Sequence, residues 1–268
     1  MIAARISGGR LHLQHGPIDL IIGADGASEA AFAAAETRFS TVLQELVAEL
    51  PLLRTAMPVA PKGDVARRMA QAASGHMGFV TPMAAVAGAV ADEVLSAMKP
   101  CDISKAYVNN GGDIAIHLDH GRFDVGVAGL DATALGKMTI HASDGIGGIA
   151  TSGRGGRSLS LGIADSVTVL AKTAAAADVA ATLIANAVNV DAPHVERCKA
   201  CEVDPDSDLG EQLVVTGCGD LTLNQIDTAL NAGEAFAKNL VRSKRIQSAF
   251  IVLQGQSRVV GTKELAHA

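Results

Sequence analysis

Asp178 and Thr182 stand four residues apart in a run, 174–188, whose alanines and aliphatics recur with helical period, so both side chains share one face. Their neighbours Ala176, Ala177, Ala180 and Ala181 form an apolar strip expected to be buried. A carboxylate there needs a partner, and a hydroxyl one turn on together with a hard cation would supply it. The competing explanation is an acid set early in a helix to favour its dipole, but Asp178 lies beyond the first residues. A second polar set is the run Tyr107-Val108-Asn109-Asn110-Gly111-Gly112-Asp113-Ile114, in which a glycine-rich turn interrupts apolar flanks. Gly111 and Gly112 let backbone N–H groups converge on a ligand, and Asn109, Asn110 and Asp113 add hydrogen-bonding groups. The same composition also makes an ordinary hairpin turn. The third set lies in the glycine-rich stretch 144–157, where Thr151, Ser152 and Gly153 precede Arg154 and Arg157. Free amides and guanidinium forks suit phosphate oxygens, so the stretch reads equally as a phosphate cradle and as a surface loop.

Other motifs fall away. Gly145-Ile146-Gly147-Gly148-Ile149-Ala150 matches the spacing of a dinucleotide-binding loop, yet a glycine-rich run follows where a helix should open. Gly136-Lys137 is followed by Met138, which excludes a Walker loop. Cys198 and Cys201 with His194 suggest zinc, but no second cysteine or histidine pair completes a tetrahedral set, and incidental cysteines are expected. No nucleophilic triad can be assembled from the histidines.

The elements that must position these groups are built without large aromatics: apolar content is 49 % but aromatic content only 3 %. A net charge of −6 argues against nucleic-acid or anionic-membrane partners. Neither a signal peptide nor an apolar span of membrane length is read, so the cytoplasm is the expected location. Strands are expected at 3–15 and 17–22, and an amphipathic helix at 27–50, with Phe32, Phe39, Val42, Leu43, Leu46, Val47 and Leu50 at helical spacing and Pro51 ending it. Loops hold Pro58 and Pro61, and helices are expected at 64–73, 83–98, 174–188 and 223–241. Strands follow at 105–118 (with the turn inside), 122–129, 138–142, 166–171, 213–216, 250–253 and 257–261, with loops at 144–157 and 198–210. Strands and helices mix without a βαβ rhythm, which favours an α+β class or mixed α/β sandwich over a doubly wound sheet. The length suits one domain over 1–268 or two intimately packed halves.

In this order the motifs resemble the ApbE flavin transferase superfamily: Gly88-Ala89-Val90-Ala91-Asp92, the Asn109–Asp113 turn, Ala150-Thr151-Ser152-Gly153, Ser166-Val167-Thr168-Val169, and Ala177-Asp178-Val179-Ala180-Ala181-Thr182. More closely, the chain is similar to an uncharacterised cytoplasmic ApbE-like family that shares residues 78–92 and Asp204-Pro205-Asp206-Ser207-Asp208-Leu209-Gly210. The resemblance implies an ApbE-like fold with a glycine-rich central cleft. ApbE proteins move FMN from FAD onto a protein threonine using magnesium. By that likeness Asp178 and Thr182 fall where side chains bind magnesium, and Ala84 falls near a backbone carbonyl ligand. Asn109, Asn110, Gly111, Gly112 and Asp113 fall on the nucleotide-site turn, and Thr151, Ser152, Gly153 and Arg154 on the loop near the phosphates. The departures are specific: Ala87-Gly88-Ala89 stands where transferases carry Lys-Gly-Tyr, and residues 157–165 lack the family's histidine and proline. The expectation is a magnesium-assisted transferase or hydrolase acting on a phosphorylated or nucleotide-like ligand, FAD or FMN among them. The alternative is a non-catalytic binding or maturation protein that kept the cleft and lost FMN transfer. Ala-rich helices would suit a homodimer.

Overall fold

The computed structural model describes residues 1–56, 60–128, 134–156 and 158–262; Pro58 and Arg157 lie outside them. In chain order the first elements are β1 (Ile2–Ile6), β2 (Arg10–His15), β3 (Ile18–Gly26), α1 (Ser28–Leu53), α2 (Asp64–Ala73), a 3-10 turn at Pro82–Ala85 and α3 (Val86–Met98). Next come β4 (Ile103–Asn110), β5 (Asp113–Leu118), β6 (Arg122–Ala128), β7 (Ala134–His141), a 3-10 turn at Ala142–Asp144 and β8 (Gly148–Ser152). The chain continues through β9 (Ser166–Ala171), α4 (Ala174–Ala187), β10 (Val195–Lys199), the single turn α5 (Ala200–Val203), β11 (Leu213–Cys218), α6 (Leu223–Arg242), β12 (Ser248–Leu253) and β13 (Gln256–Gly261). This is a mixed α/β protein, as its pattern predicts. No helix among the described residues is long and apolar enough to cross a membrane.

The chain divides into two compact units, one of Met1–Phe123, Ile140–Ala150 and Ala171–Val179, the other of Asp124–Thr139, Thr151–Leu170 and Ala180–Ala268. In the first, an antiparallel sheet runs β1-β2-β3-β4-β5-β8. Leu11 and Leu13 alternate with polar residues on β2 and face Ile22 and Leu20 across the ladder, giving the sheet one buried side. Onto the core pack Phe32, Phe39, Val42 and Leu46 of α1. In the second unit, β9-β12-β13 are antiparallel, and all six residues of β9 and of β12 are buried. Strands covered on both faces need no polar alternation.

Four expectations are corrected. The first segment is two strands, because residues 7–9 turn between β1 and β2 with Gly8 and Gly9 at positive φ. Pro51 does not end α1: the helix runs on to Leu53, which is 1 % exposed. Near a C-terminus proline removes one N–H bond, and burying Leu53 outweighs that loss. Val47, placed on the apolar stripe, is 58 % exposed. The expected loops at 144–157 and 198–210 contain β8 and the end of β10 with α5. Gly147 and Gly148 serve close packing there, since a Cβ on Gly148 would lie 2.1 Å from the Ala174 nitrogen.

The helices of the first unit are also tied by charge. Glu93 of α3 accepts from Arg38 Nε of α1 (2.8 Å) and Arg68 Nε of α2 (2.7 Å), while Arg38 also grips Glu45. Burial raises the Glu93 pKa, but the two guanidinium bonds more than offset this and hold it below its ordinary 4.5. Its contribution is therefore complete above about pH 4.5 and is lost as pH falls through the lower folded value. Glu93→Ala should cost about 3 kcal/mol, by leaving two arginines short of a partner. Urea titrations should show Glu93→Gln losing less stability than wild type between pH 5 and pH ~3.

Candidate functional site

The Asn-Asn-Gly-Gly-Asp run forms the β4–β5 hairpin turn, with Asn110 opposite Asp113 and Gly111-Gly112 between them. Their φ values, 65° and 111°, are the left-handed pair that a two-residue turn of this twist demands. Asn109 Oδ1 accepts from Gly112 N (2.8 Å), which closes the turn. Asn110 is 5 % exposed, and its Nδ2 donates to the Ala87 carbonyl (3.1 Å). The turn is thus pinned to the first turn of α3.

That end of α3 also meets α4. Asp92 directs both carboxylate oxygens at the start of α4, accepting from Ala174 N (3.0 Å) and Ala175 N (2.9 Å). Gly88, one turn earlier on the same face, makes room for that approach: a Cβ there would lie 2.4 Å from the carbonyl of Ala174. The helix cap is supplied from 82 residues away, so Asp178 is not needed for it.

Asp178 instead accepts from Gly88 N at Oδ2 (3.0 Å). Part of its surface remains accessible, yet enough protein surrounds the carboxylate that desolvation raises its pKa well above the ordinary value of 3.8. The Asp113 carboxylate raises it further, and N–H groups of Gly88 and Ala87 only partly counter this. Two half-buried acids, one from the hairpin and one from α4, therefore act on each other unfavourably when both are ionised.

Thr182 follows Asp178 by one turn of α4, and its Oγ1 lies 3.5 Å from Ser152 Oγ at the end of β8. Thr151 pairs with Thr168 on β9 (Oγ1 to Oγ1, 2.9 Å). Arg154 has a fixed partner within the second unit: its Nε and Nη2 meet Asp165 Oδ1 at 2.8 and 2.7 Å. Ala84 lies in the 3-10 turn, its N–H bonded to Thr81 O (3.2 Å). The structure thus brings Asp113 to Asp178 in one unit and Ser152 to Thr182 in the other. Sequence reasoning missed the cap made by Asp92, although an acid one turn after Gly88 in an alanine-rich run was its visible trace.

Residues 3–259 match the family model described as AbpE bacteria. A UPF0280 protein from Methanopyrus kandleri is 37 % identical over 207 residues, 74 % of this chain and 82 % of that one. Another from Methanothrix thermoacetophila is 38 % identical over 181 residues, 65 % and 74 % of the two chains. Among solved structures, the flavin transferase ApbE from Vibrio cholerae (14 % identity, 99 % and 98 % of the two chains, TM-score 0.39) is a distant likeness. So is the ApbE protein from Thermotoga maritima (11 % identity, 96 % of each chain, TM-score 0.45). By the family match and the UPF0280 relatives, the chain belongs to the ApbE-like AbpE bacteria family, alongside the UPF0280 proteins.

Proposed function

We propose that the protein binds a phosphorylated, nucleotide-like ligand together with a divalent cation and acts on it as a transferase or hydrolase. The observation that carries this reading is Asp178, a partly accessible carboxylate whose ionised form burial and the neighbouring Asp113 both disfavour. The donor chemistry within the first unit fits a hard cation such as Mg²⁺: the carboxylates of Asp178 and Asp113 and, by family likeness, the Ala84 carbonyl are all oxygen. Among the described residues no cluster of three or more His, Cys, Asp or Glu could hold a metal. Coordination by one or two carboxylates, with water and ligand phosphate completing the shell, is how Mg²⁺ ordinarily binds. When bound, the ion would neutralise phosphate charge.

FAD and FMN are the first ligands to try. One observation favours binding without FMN transfer: Ala89, where transferases carry tyrosine, is 0 % exposed, so small-residue packing replaces the aromatic platform. Incubation with FAD and Mg²⁺ separates the two outcomes. Release of FMN and AMP supports an enzyme, and FAD retained unchanged supports a binding protein. Failure to hold FAD, FMN, AMP or pyrophosphate with Mg²⁺ would contradict both.

A further inference from the structure

Asp165 is a carboxylate of the second unit held by both side-chain and main-chain donors. Its side chain is 12 % exposed, and its backbone N–H is anchored to Val252 O at the end of β12 (2.9 Å). Oδ1 takes both Nε and Nη2 of Arg154, and Oδ2 takes the backbone N–H of Gln254 (2.5 Å). Gln254 sits at φ 42° in the two-residue turn between β12 and β13, an unusual conformation for a non-glycine residue. Its amide then holds the segment before α6, accepting from Leu221 N (3.0 Å) and donating to Gly219 O (2.8 Å). Arg154 N donates to Ala164 O (2.9 Å), so the loop is fixed to the residues beside Asp165 through main chain and side chain together.

The manner of the grip matters. Both Arg154 contacts come from one edge of the guanidinium and end on one oxygen. Among the described residues, the Nη1 corner has no protein partner, and the side chain is 28 % exposed. A guanidinium clamped along one edge is a rigid cation with hydrogen-bond donors left to offer, which suits a phosphate oxygen. Hydroxyls of Thr151 and Ser152 stand at the end of β8, just before Arg154 in the chain.

We infer that Asp165 is a positioning residue: it orients Arg154 so that the segment 151–156 binds a phosphate group of the ligand. This rests on the phosphate-ligand reading above. It makes a prediction opposite in sign to simple electrostatics. Neutralising a carboxylate near an anion site should tighten anion binding by charge alone. Loss of positioning should weaken it.

The test is titration calorimetry of the full chain with inorganic pyrophosphate and Mg²⁺, at fixed salt. Asp165→Asn is expected to weaken pyrophosphate binding about tenfold, as loss of an orienting partner typically does. Arg154→Gln should weaken it by at least as much, and Asp165→Asn should add nothing in the Arg154→Gln background. Asp165→Glu should restore part of the affinity. Unchanged or tighter binding by Asp165→Asn overturns the inference, as does full additivity of the two substitutions. If Asp165→Asn does not fold, Arg154→Gln alone decides: unchanged binding overturns the inference, and a tenfold loss supports it. Wild type that binds no pyrophosphate overturns this inference and the phosphate-ligand reading together. Binding that depends on Asp178 but is indifferent to Arg154 overturns this inference only.

Discussion

Gly88→Ala should destabilise the protein by about 2–3 kcal/mol, although alanine is the better helix former. In an exposed helix the same change gains roughly 1 kcal/mol. Here the added carbon would lie 2.4 Å from both the carbon and the oxygen of the Ala174 carbonyl, and 2.7 Å from Ala175 N. All three are backbone atoms of a helix start, so no flexible side chain can move aside. The clash forces α3 and α4 apart and stretches the Asp92 bonds to Ala174 and Ala175. It also displaces the Gly88 N–H from Asp178. A domain of ordinary stability holds only about 5–15 kcal/mol, so Gly88→Leu should leave little folded protein. Urea midpoints of wild type and Gly88→Ala measure the effect, and a neutral or stabilising alanine would mean that the helices do not approach this closely.

The second large effect changes sign with cation. Asp178→Asn keeps the side-chain shape and an oxygen for the Gly88 N–H, and removes a charge that desolvation and Asp113 both oppose. Because the folded-state pKa of Asp178 is raised, its ionisation costs stability as pH rises above the ordinary 3.8 and through the folded value. Cation-free Asp178→Asn should therefore be more stable than wild type at neutral pH, by about 1 kcal/mol or 2–4 °C in Tm. That advantage should shrink as pH falls toward 4. With Mg²⁺ and pyrophosphate the order should reverse, since binding to the folded state stabilises wild type and not the variant.

Much of this was legible from residue types. Asp178 and Thr182 on one helix face, and a turn at Gly111-Gly112, follow from period and from positive-φ chemistry, which are local. The local signals failed where distant packing decides. Pro51 promised a helix end, but burial of Leu53 carries α1 past it. The glycine-rich stretch 144–157 reads equally as a phosphate cradle and as a surface loop, and the close approach of residues 172–174 explains why 147 and 148 lack side chains. Asp92 capping α4, and Asp165 joining Arg154 to the β12–β13 turn, pair residues that sequence spacing cannot connect. Arg154 illustrates the limit best: its type pointed to phosphate, and only the structure shows one edge of its guanidinium already held.

The central claim is a divalent cation at Asp178, and Mn²⁺ titration followed by electron paramagnetic resonance, in the presence of pyrophosphate, measures it directly. Wild type should bind one Mn²⁺ that Mg²⁺ displaces, and Asp178→Asn should bind it more than tenfold more weakly while remaining folded. Equal Mn²⁺ affinity in the two proteins, or no binding by wild type, would contradict the claim.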